Sequence, residues 1–268
     1  MAKSRSFLKW AGSKYNCLNK ILPALGTGKR LIEPFAGSGV VFLNTDFSSY
    51  LLAEENKDLI NIFKILQKDV SFINFCQQFF TPETNKEEVY YELRQEFNEL
   101  KQSQKKSALF LYLNRHGYNG LCRYNSSGIF NVPFGRYTKT YFPLTQMHIF
   151  HQKSQTAEFI HHDFRETFKL AQPGDVIYCD PPYVPLLEKT KPVAYTKKIF
   201  SEQDQIELAQ LASETAAKGI PVIISNHDTE FTRHHYRNAS IISFRVSRFI
   251  NCQINMRNPA NELVAIFN

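Results

Sequence analysis

The sequence predicts an α/β fold: a doubly wound, mostly parallel sheet with an inserted lobe of helices and a β-hairpin. Three observations predict it. Short apolar, β-rich runs alternate with stretches of helical periodicity, the pattern of strands joined by crossover helices. Successive runs end in polar or glycine-containing clusters, at Glu33-Pro34, Glu54-Glu55-Asn56, His161-His162-Asp163, Asp180-Pro181 and Ser225-Asn226, and in such sheets ligands gather outside the strand carboxyl ends. Between about residue 69 and residue 117 the strand signal stops and only helical periodicity remains.

Residues 7–14, Phe-Leu-Lys-Trp-Ala-Gly-Ser-Lys, place the only tryptophan beside a glycine and two lysines, ahead of a helix expected to run to Leu22 and stop at Pro23. Arg30-Leu31-Ile32-Glu33 reads as a strand entering Pro34-Phe35-Ala36-Gly37-Ser38-Gly39, after which Val40, Val41 and Leu43 suit a helix packed on the sheet. Gly37 and Gly39 let the backbone pass close to a ligand, and the helix N-terminus offers free N–H groups. The loop is neither Gly-x-Gly-x-x-Gly nor a P-loop, so a nucleoside with an amino-acid tail fits it better than a phosphate. A plain strand-to-helix turn is the alternative. Tyr50–Ala53 is the second strand, and the acid after it, Glu54, can accept from both ribose hydroxyls of a nucleoside or serve as a helix-start charge.

In the helical stretch, Val89, Leu93, Phe97 and Leu100 form one apolar stripe with charges opposite, which reads as core packing. Residues 114–137 differ. Three arginines, four asparagines and three tyrosines are interleaved with glycines, and Asn125-Ser126-Ser127-Gly128 is a candidate hairpin tip. Arginine and asparagine pair bidentately with guanine and adenine edges, and tyrosines wedge or stack. A glycine-rich hairpin with surface arginines is the plainer alternative. A helix near Leu144–His151 leads to a strand at Ala157–Ile160 and then to Asp163 and Phe164. His161 and His162 are sequence neighbours that would face opposite sides of a strand, so a metal site is disfavoured.

Val176-Ile177-Tyr178-Cys179 is a buried strand that meets Asp180-Pro181-Pro182-Tyr183. The prolines fix φ and remove two backbone donors, so Asp180 is held extended and the carbonyls point outward. An acid, a free prolyl carbonyl and an aromatic ring make a receptor for a planar amine such as a nucleobase amino group, or else a strand-terminating turn. Lys189, Lys191, Lys197 and Lys198 lie beyond it in a loop suited to a lid or to phosphate contact. Ser201-x-x-Asp204 opens a helix carrying Leu208, Leu211, Ala212 and Thr215 on one face, Ile220–Ile224 is the next buried strand, and Phe244–Val246 and Leu263–Phe267 complete the sheet.

With 268 residues, 43% apolar, the chain supports one large core. The net charge of +7 is compatible with a polyanionic partner. Five cysteines without paired spacing argue for a reducing compartment, with the cytoplasm as the default, and against a disulfide framework or structural metal. No apolar run is long enough for a membrane span, and no signal peptide is expected.

Taken together, Phe7–Lys14, Glu33-Pro-Phe-Ala-Gly-Ser-Gly39, the 114–137 hairpin, Tyr178–Tyr183 and Ser225–Asp228 resemble the S-adenosylmethionine-dependent DNA N6-adenine methyltransferases, in the group ordered cofactor loop, target-recognition lobe, Asp-Pro-Pro-Tyr. The resemblance spans nearly the whole chain. It implies a seven-stranded sheet with a reversed last strand, a catalytic domain of residues 1–68 and 152–268, and a DNA-recognition lobe of residues 69–151. S-adenosyl-L-methionine would be the methyl donor and S-adenosyl-L-homocysteine the product. The substrate would be GATC in double-stranded DNA with the adenine flipped out, and the enzyme a monomer without an obligate protein partner. By the same resemblance Trp10, Ala11, Gly12, Lys14, Phe35, Ala36, Gly37, Ser38, Gly39, Glu54, Asp163, Phe164 and Asp180 would hold the cofactor. Asp180, Pro181, Pro182 and Tyr183 would grip the adenine. Lys9, Tyr118, Asn119, Leu121, Arg123, Pro133, Arg136 and Tyr137 would read, wedge or contact the DNA. Glu54 stands where the family usually has aspartate, and Ile254-Asn255-Met256-Arg257 replaces a more glycine-rich stretch. An RNA adenine methyltransferase and a catalytically inactive DNA-binding regulator are the rival classes. The intact Asp180 and the hairpin segment argue against both.

Overall fold

A computed structural model describes residues 3–183, 200–246 and 260–268. The strands β1 (Arg30–Glu33), β2 (Ser49–Ala53), β3 (Ala157–Ile160), β4 (Asp175–Cys179), β5 (Val222–His227), β6 (Ser240–Val246) and β7 (Ala260–Phe267) form one seven-stranded sheet. Their order is β3-β2-β1-β4-β5-β7-β6. Neighbours from β3 to β5 are parallel, and β7 runs antiparallel to both β5 and β6, so the last strand is the reversed one. β1 pairs with β2 on one side and β4 on the other. The crossovers therefore leave in opposite directions there, which opens a crevice at the carboxyl ends of β1 and β4.

The helices form where caps and apolar faces coincide. After α1 (Leu18–Ile21), α2 (Lys57–Lys68) starts at Asn56, whose side chain accepts from the N–H groups of Asp58 and Leu59 at 3.0 and 3.1 Å. α3 (Phe72–Gln77), α4 (Glu87–Glu99), α5 (Gln104–His116) and α6 (Leu144–Ser154) precede β3. α7 (Phe164–Phe168), α8 (Glu202–Ala216) and α9 (Glu230–His235) alternate with the later strands. α8 opens with the reciprocal Ser201–Asp204 capping box that the sequence predicts. Strand alternation divides the core into two layers. Leu31, Leu52, Tyr50, Val176, Tyr178 and Ile223 pack with Phe63, Leu109 and Phe150 on one face. Ile32, Leu51, Ile177, Cys179 and Ile224, joined by Leu263 and Ala265 of β7, pack with Phe168, Leu208 and Ala212 on the other.

Several local expectations are corrected. The first helix is three short pieces: 3-10 turns at Lys14–Cys17 and Leu22–Leu25 flank α1, and Pro23 sits in the first turn of the second 3-10 piece rather than ending a helix. The helix expected after the glycine loop is only a 3-10 turn at Phe42–Asn44. Asn44 Nδ2 donates to Val40 O at 2.7 Å and Thr45 Oγ1 to Val41 O at 3.1 Å, so side chains take the carbonyls that a longer helix would use. In α4 the buried positions are Tyr90 and Phe97, with Leu93 and Leu100 only partly covered. Phe97, Leu109 and Phe130, from the segment read as a recognition lobe, belong to the same apolar cluster as the sheet face.

Candidate active site

Four strand ends build the crevice. At the end of β1, Glu33 is 2% exposed and its Oε1 meets no donor among the described residues. Burial pushes its carboxyl up to about 8. The neighbouring Asp180 charge adds to this, and the Phe42 N–H opposes it. The glycine loop then folds over the end of β2, where Ala36 N donates to Ala53 O at 2.9 Å and Gly37 N to Glu54 Oε2 at 3.1 Å. Gly37 has φ of +47°, and a Cβ there would stand 3.0 Å from Trp10 Nε1. Glycine is required on both counts. Glu54 also accepts from Asn56 N at 3.2 Å. Burial raises its pKa, and the backbone N–H groups that it accepts from pull the other way.

Asp180 follows β4. Lys14 Nζ lies 2.9 Å from its Oδ1, donates to Gly12 O at 2.8 Å, and sits 4.5 Å from the centre of the Tyr183 ring. Asp180 Oδ1 is buried and meets no donor at hydrogen-bonding angle among the described residues. Burial raises the pKa of Asp180, and the Lys14 ammonium is the main opposing influence. The Tyr183 ring packs edge-on to His227 at 4.6 Å, and its hydroxyl donates to Glu262 Oε2 at 3.4 Å. Trp10, Gly12, Lys14, the 35–39 loop, Glu54 and Asp180–Tyr183 thus gather round one crevice. Phe164 stacks on Phe35 at 5.5 Å and joins them. Asp163 caps α7 by accepting from Arg165 N at 2.8 Å, and its Oδ2 lies 3.0 Å from Arg165 Nη1.

The 114–137 segment separates into buried and exposed parts. Asn114, Arg115 and His116 end α5 and are buried rather than lying on a hairpin. Asn114 clamps Lys9 by accepting from its N–H at 2.8 Å and donating to its carbonyl at 2.7 Å, while Arg115 Nε donates to Phe7 O at 3.1 Å. Burial lowers the His116 pKa to about 4, so this ring is neutral at physiological pH. The chain beyond α5 is held by two isolated antiparallel bridges, Gly117 with Phe134 and Tyr124 with Phe130, closed at the expected Asn125–Gly128 turn. Tyr118 N donates to Pro133 O at 2.9 Å, Leu121 N to Tyr118 O at 3.1 Å and Asn119 N to Tyr137 Oη at 2.9 Å. Lys9 Nζ lies over the Tyr137 ring at 4.2 Å. Lys9, Tyr118, Asn119, Leu121, Pro133 and Tyr137 therefore share one surface. Arg123 lies on the arm beyond, with its Nε donating to Asn131 Oδ1 at 2.7 Å and its Nη2 to Asn131 O at 3.1 Å. Arg136 is exposed, with φ of +52°, and its Nη2 lies 3.4 Å from Glu87. The lysines at 189, 191, 197 and 198, and Ile254–Arg257, lie outside the described residues.

Residues 10–249 match the family model of D12 class N6 adenine-specific DNA methyltransferases. The chain belongs to that family. The methyltransferase is 46% identical over its whole length to a DNA adenine methylase of Salmonella typhi, covering 96% of that relative. Proteins of the same name from Escherichia coli K12 and Vibrio cholerae are 45% and 46% identical, again across the whole chain and 96% and 97% of the relatives. It is an adenine-specific DNA methyltransferase. Glu33 and Asn226 belong to polar clusters that the sequence marks at strand ends, though it gives neither a role of its own, and Gln205, whose side chain donates to the Pro182 carbonyl, escapes a reading of the sequence. The strand expected over Ile220–Ile224, with Ser225-Asn226-His227-Asp228 as a polar cluster at its end, in fact runs from Val222 through Asn226 to His227.

Proposed function

We propose that the chain transfers the methyl group of S-adenosyl-L-methionine to N6 of adenine within GATC in duplex DNA, acting as a monomer in the cytoplasm on a base flipped out of the helix. The observation that carries this reading is Asp180-Pro181-Pro182-Tyr183 at the end of β4, with the Asp180 carboxyl buried beside the Lys14 ammonium, 2.9 Å from its Oδ1, and the Tyr183 ring. The residues also fit the cofactor. Gly37 keeps open a space beside Trp10 that a Cβ would fill, and the Glu33 and Glu54 carboxyls face the same crevice. Trp10, Gly12, Lys14, the 35–39 loop, Glu54 and Phe164 would hold it, with Ala11 and Asp163 at the margin. It supplies a sulfonium-bound methyl, an activated donor for an amine.

The amino nitrogen of adenine is conjugated with its ring and poorly nucleophilic. Asp180 and the Pro181 carbonyl would accept hydrogen bonds from its two N–H groups and so raise the electron density on nitrogen, and positioning and electrostatics carry the catalysis. Lys14 offers a charge that stabilises the Asp180 carboxylate, and the Tyr183 ring is a face for stacking. Flipping costs a few kcal/mol. Tyr118, 41% exposed, is available to fill the vacated stack. The GATC assignment rests on the family resemblance, with Lys9, Asn119, Leu121, Arg123, Pro133 and Tyr137 as readers and Arg136 as a backbone contact.

The test incubates DNA with the protein and S-adenosyl-L-methionine, digests it with endonucleases blocked by adenine methylation in different sequences, and repeats the reaction with Asp180→Ala. Protection confined to GATC, lost in the variant, is expected. Protection at other sites would replace the specificity, and undiminished transfer by Asp180→Ala would remove the carboxylate from the mechanism.

A further inference from the structure

Pro181 and Pro182 are consecutive residues without a backbone N–H, so the loop bearing Asp180 cannot tie itself down by donating from either of them. The backbone of these two residues can be anchored only through their carbonyls. Gln205, in the first turn of α8, donates from Nε2 to Pro182 O at 2.6 Å. Its Oε1 accepts from Asn226 Nδ2 at 3.0 Å, and that nitrogen also lies 2.9 Å from Tyr236 Oη. Asn226 Oδ1 in turn accepts from His227 N at 2.9 Å. Both ends of this chain of bonds have fixed polarity, because a backbone N–H can only donate and a prolyl carbonyl can only accept. Each amide is therefore held in one orientation. Gln205 is 3% exposed, Asn226 0% and Tyr236 1%, so water does not compete.

We propose that Gln205 is a positioning residue for methyl transfer, backed by Asn226 and Tyr236. Both proline rings hold φ, so few torsions separate the Pro182 carbonyl from Asp180. A pinned Pro182 peptide therefore fixes where the Asp180 carboxylate and the Pro181 carbonyl point. The inference rests on the reading of these groups as acceptors for the adenine amine.

The experiment compares wild type, Gln205→Met, Gln205→Glu and Asp180→Ala in single-turnover methyl transfer, and measures S-adenosyl-L-homocysteine binding by calorimetry. Gln205→Met keeps the volume and removes the donor, and should slow transfer about tenfold or more while cofactor affinity stays within about twofold. Gln205→Glu turns a carboxylate oxygen toward the Pro182 carbonyl. Its rate relative to Gln205→Met should recover as the pH falls into the range where the new carboxyl is protonated and can donate. A merely structural role would produce no such recovery. Rates near wild type in both Gln205 variants, with Asp180→Ala inactive, would overturn the positioning role alone. Loss of fold or cofactor binding in both Gln205 variants would also overturn it. Full activity of Asp180→Ala would instead overturn the acceptor reading beneath it.

Discussion

Replacing Glu33 with glutamine should change how stability depends on pH, because the wild-type carboxyl is taken from water with one oxygen unpartnered among the described residues. Its folded pKa is raised from 4.5 to about 8, chiefly by burial. The sign follows from proton binding. Between those two values the unfolded chain has released a proton that the folded protein still holds, so Glu33 contributes fully to stability below the lower value and its contribution is lost as pH rises toward the upper one. The slope is at most about 1.4 kcal/mol per pH unit, so the window of about 3.5 units amounts to roughly 5 kcal/mol as an upper figure. Glu33→Gln removes this slope while keeping shape and neutrality. Asp180 titrates in both proteins and largely cancels from the difference, apart from its repulsion of Glu33. Urea unfolding of both proteins without cofactor, at a series of pH values across the window, gives the difference directly. The variant should match wild type in acid and surpass it progressively in alkali. Parallel curves would mean that the folded Glu33 carboxyl is hydrated and titrates as an ordinary glutamate, which refutes the argument from burial.

Other predictions concern the cofactor and the DNA. Gly37→Ala should weaken S-adenosyl-L-homocysteine binding measured by calorimetry, since the left-handed backbone alone costs about 1–2 kcal/mol and the new Cβ meets the Trp10 ring; unchanged affinity would place the cofactor away from this loop. Glu54→Ala should weaken the same binding far more than Glu54→Asp, and an Ala variant with wild-type affinity would assign the ribose to another group. Arg123→Ala should raise kcat/KM for sites altered at one base pair relative to GATC by a factor equivalent to about 1–3 kcal/mol. One common factor at every site would make it a backbone contact. DNA affinity should fall linearly with salt on a log–log plot, with a slope of about −0.9 per phosphate neutralised. A flat plot would exclude a backbone-contacting mode.

The strands are legible in the sequence because four of the five parallel ones are covered on both faces, so the buried runs around Ile32, Leu51, Ile177 and Ile223 stay apolar along their length and stop at polar clusters. The cap of α8 is legible for a related reason: Ser201 and Asp204 act on neighbours within a few residues. The turn after the glycine loop is not legible. Val40, Val41 and Leu43 have the spacing of a helix, but whether Asn44 and Thr45 bond back to carbonyls or face water depends on the fold around them.

The site divides along the same line. Composition marks 114–137 as rich in planar polar groups, yet composition does not separate Asn114 and Arg115, buried and clamping residues 7–9, from Arg123 on the exposed arm. Residue type states what a side chain can bond, and burial decides whether backbone or ligand receives the bond. The diproline loop carries the argument furthest. Its missing N–H groups can be read from the sequence, and they imply that a donor must come from elsewhere in the fold. That the donor is Gln205, held by Asn226 across 21 positions of chain, emerges only from α8 packing beside β5. A rigid acceptor loop thus needs a partner that local sequence cannot name, and substitutions on α8 should bear on methyl transfer from outside the Asp-Pro-Pro-Tyr motif.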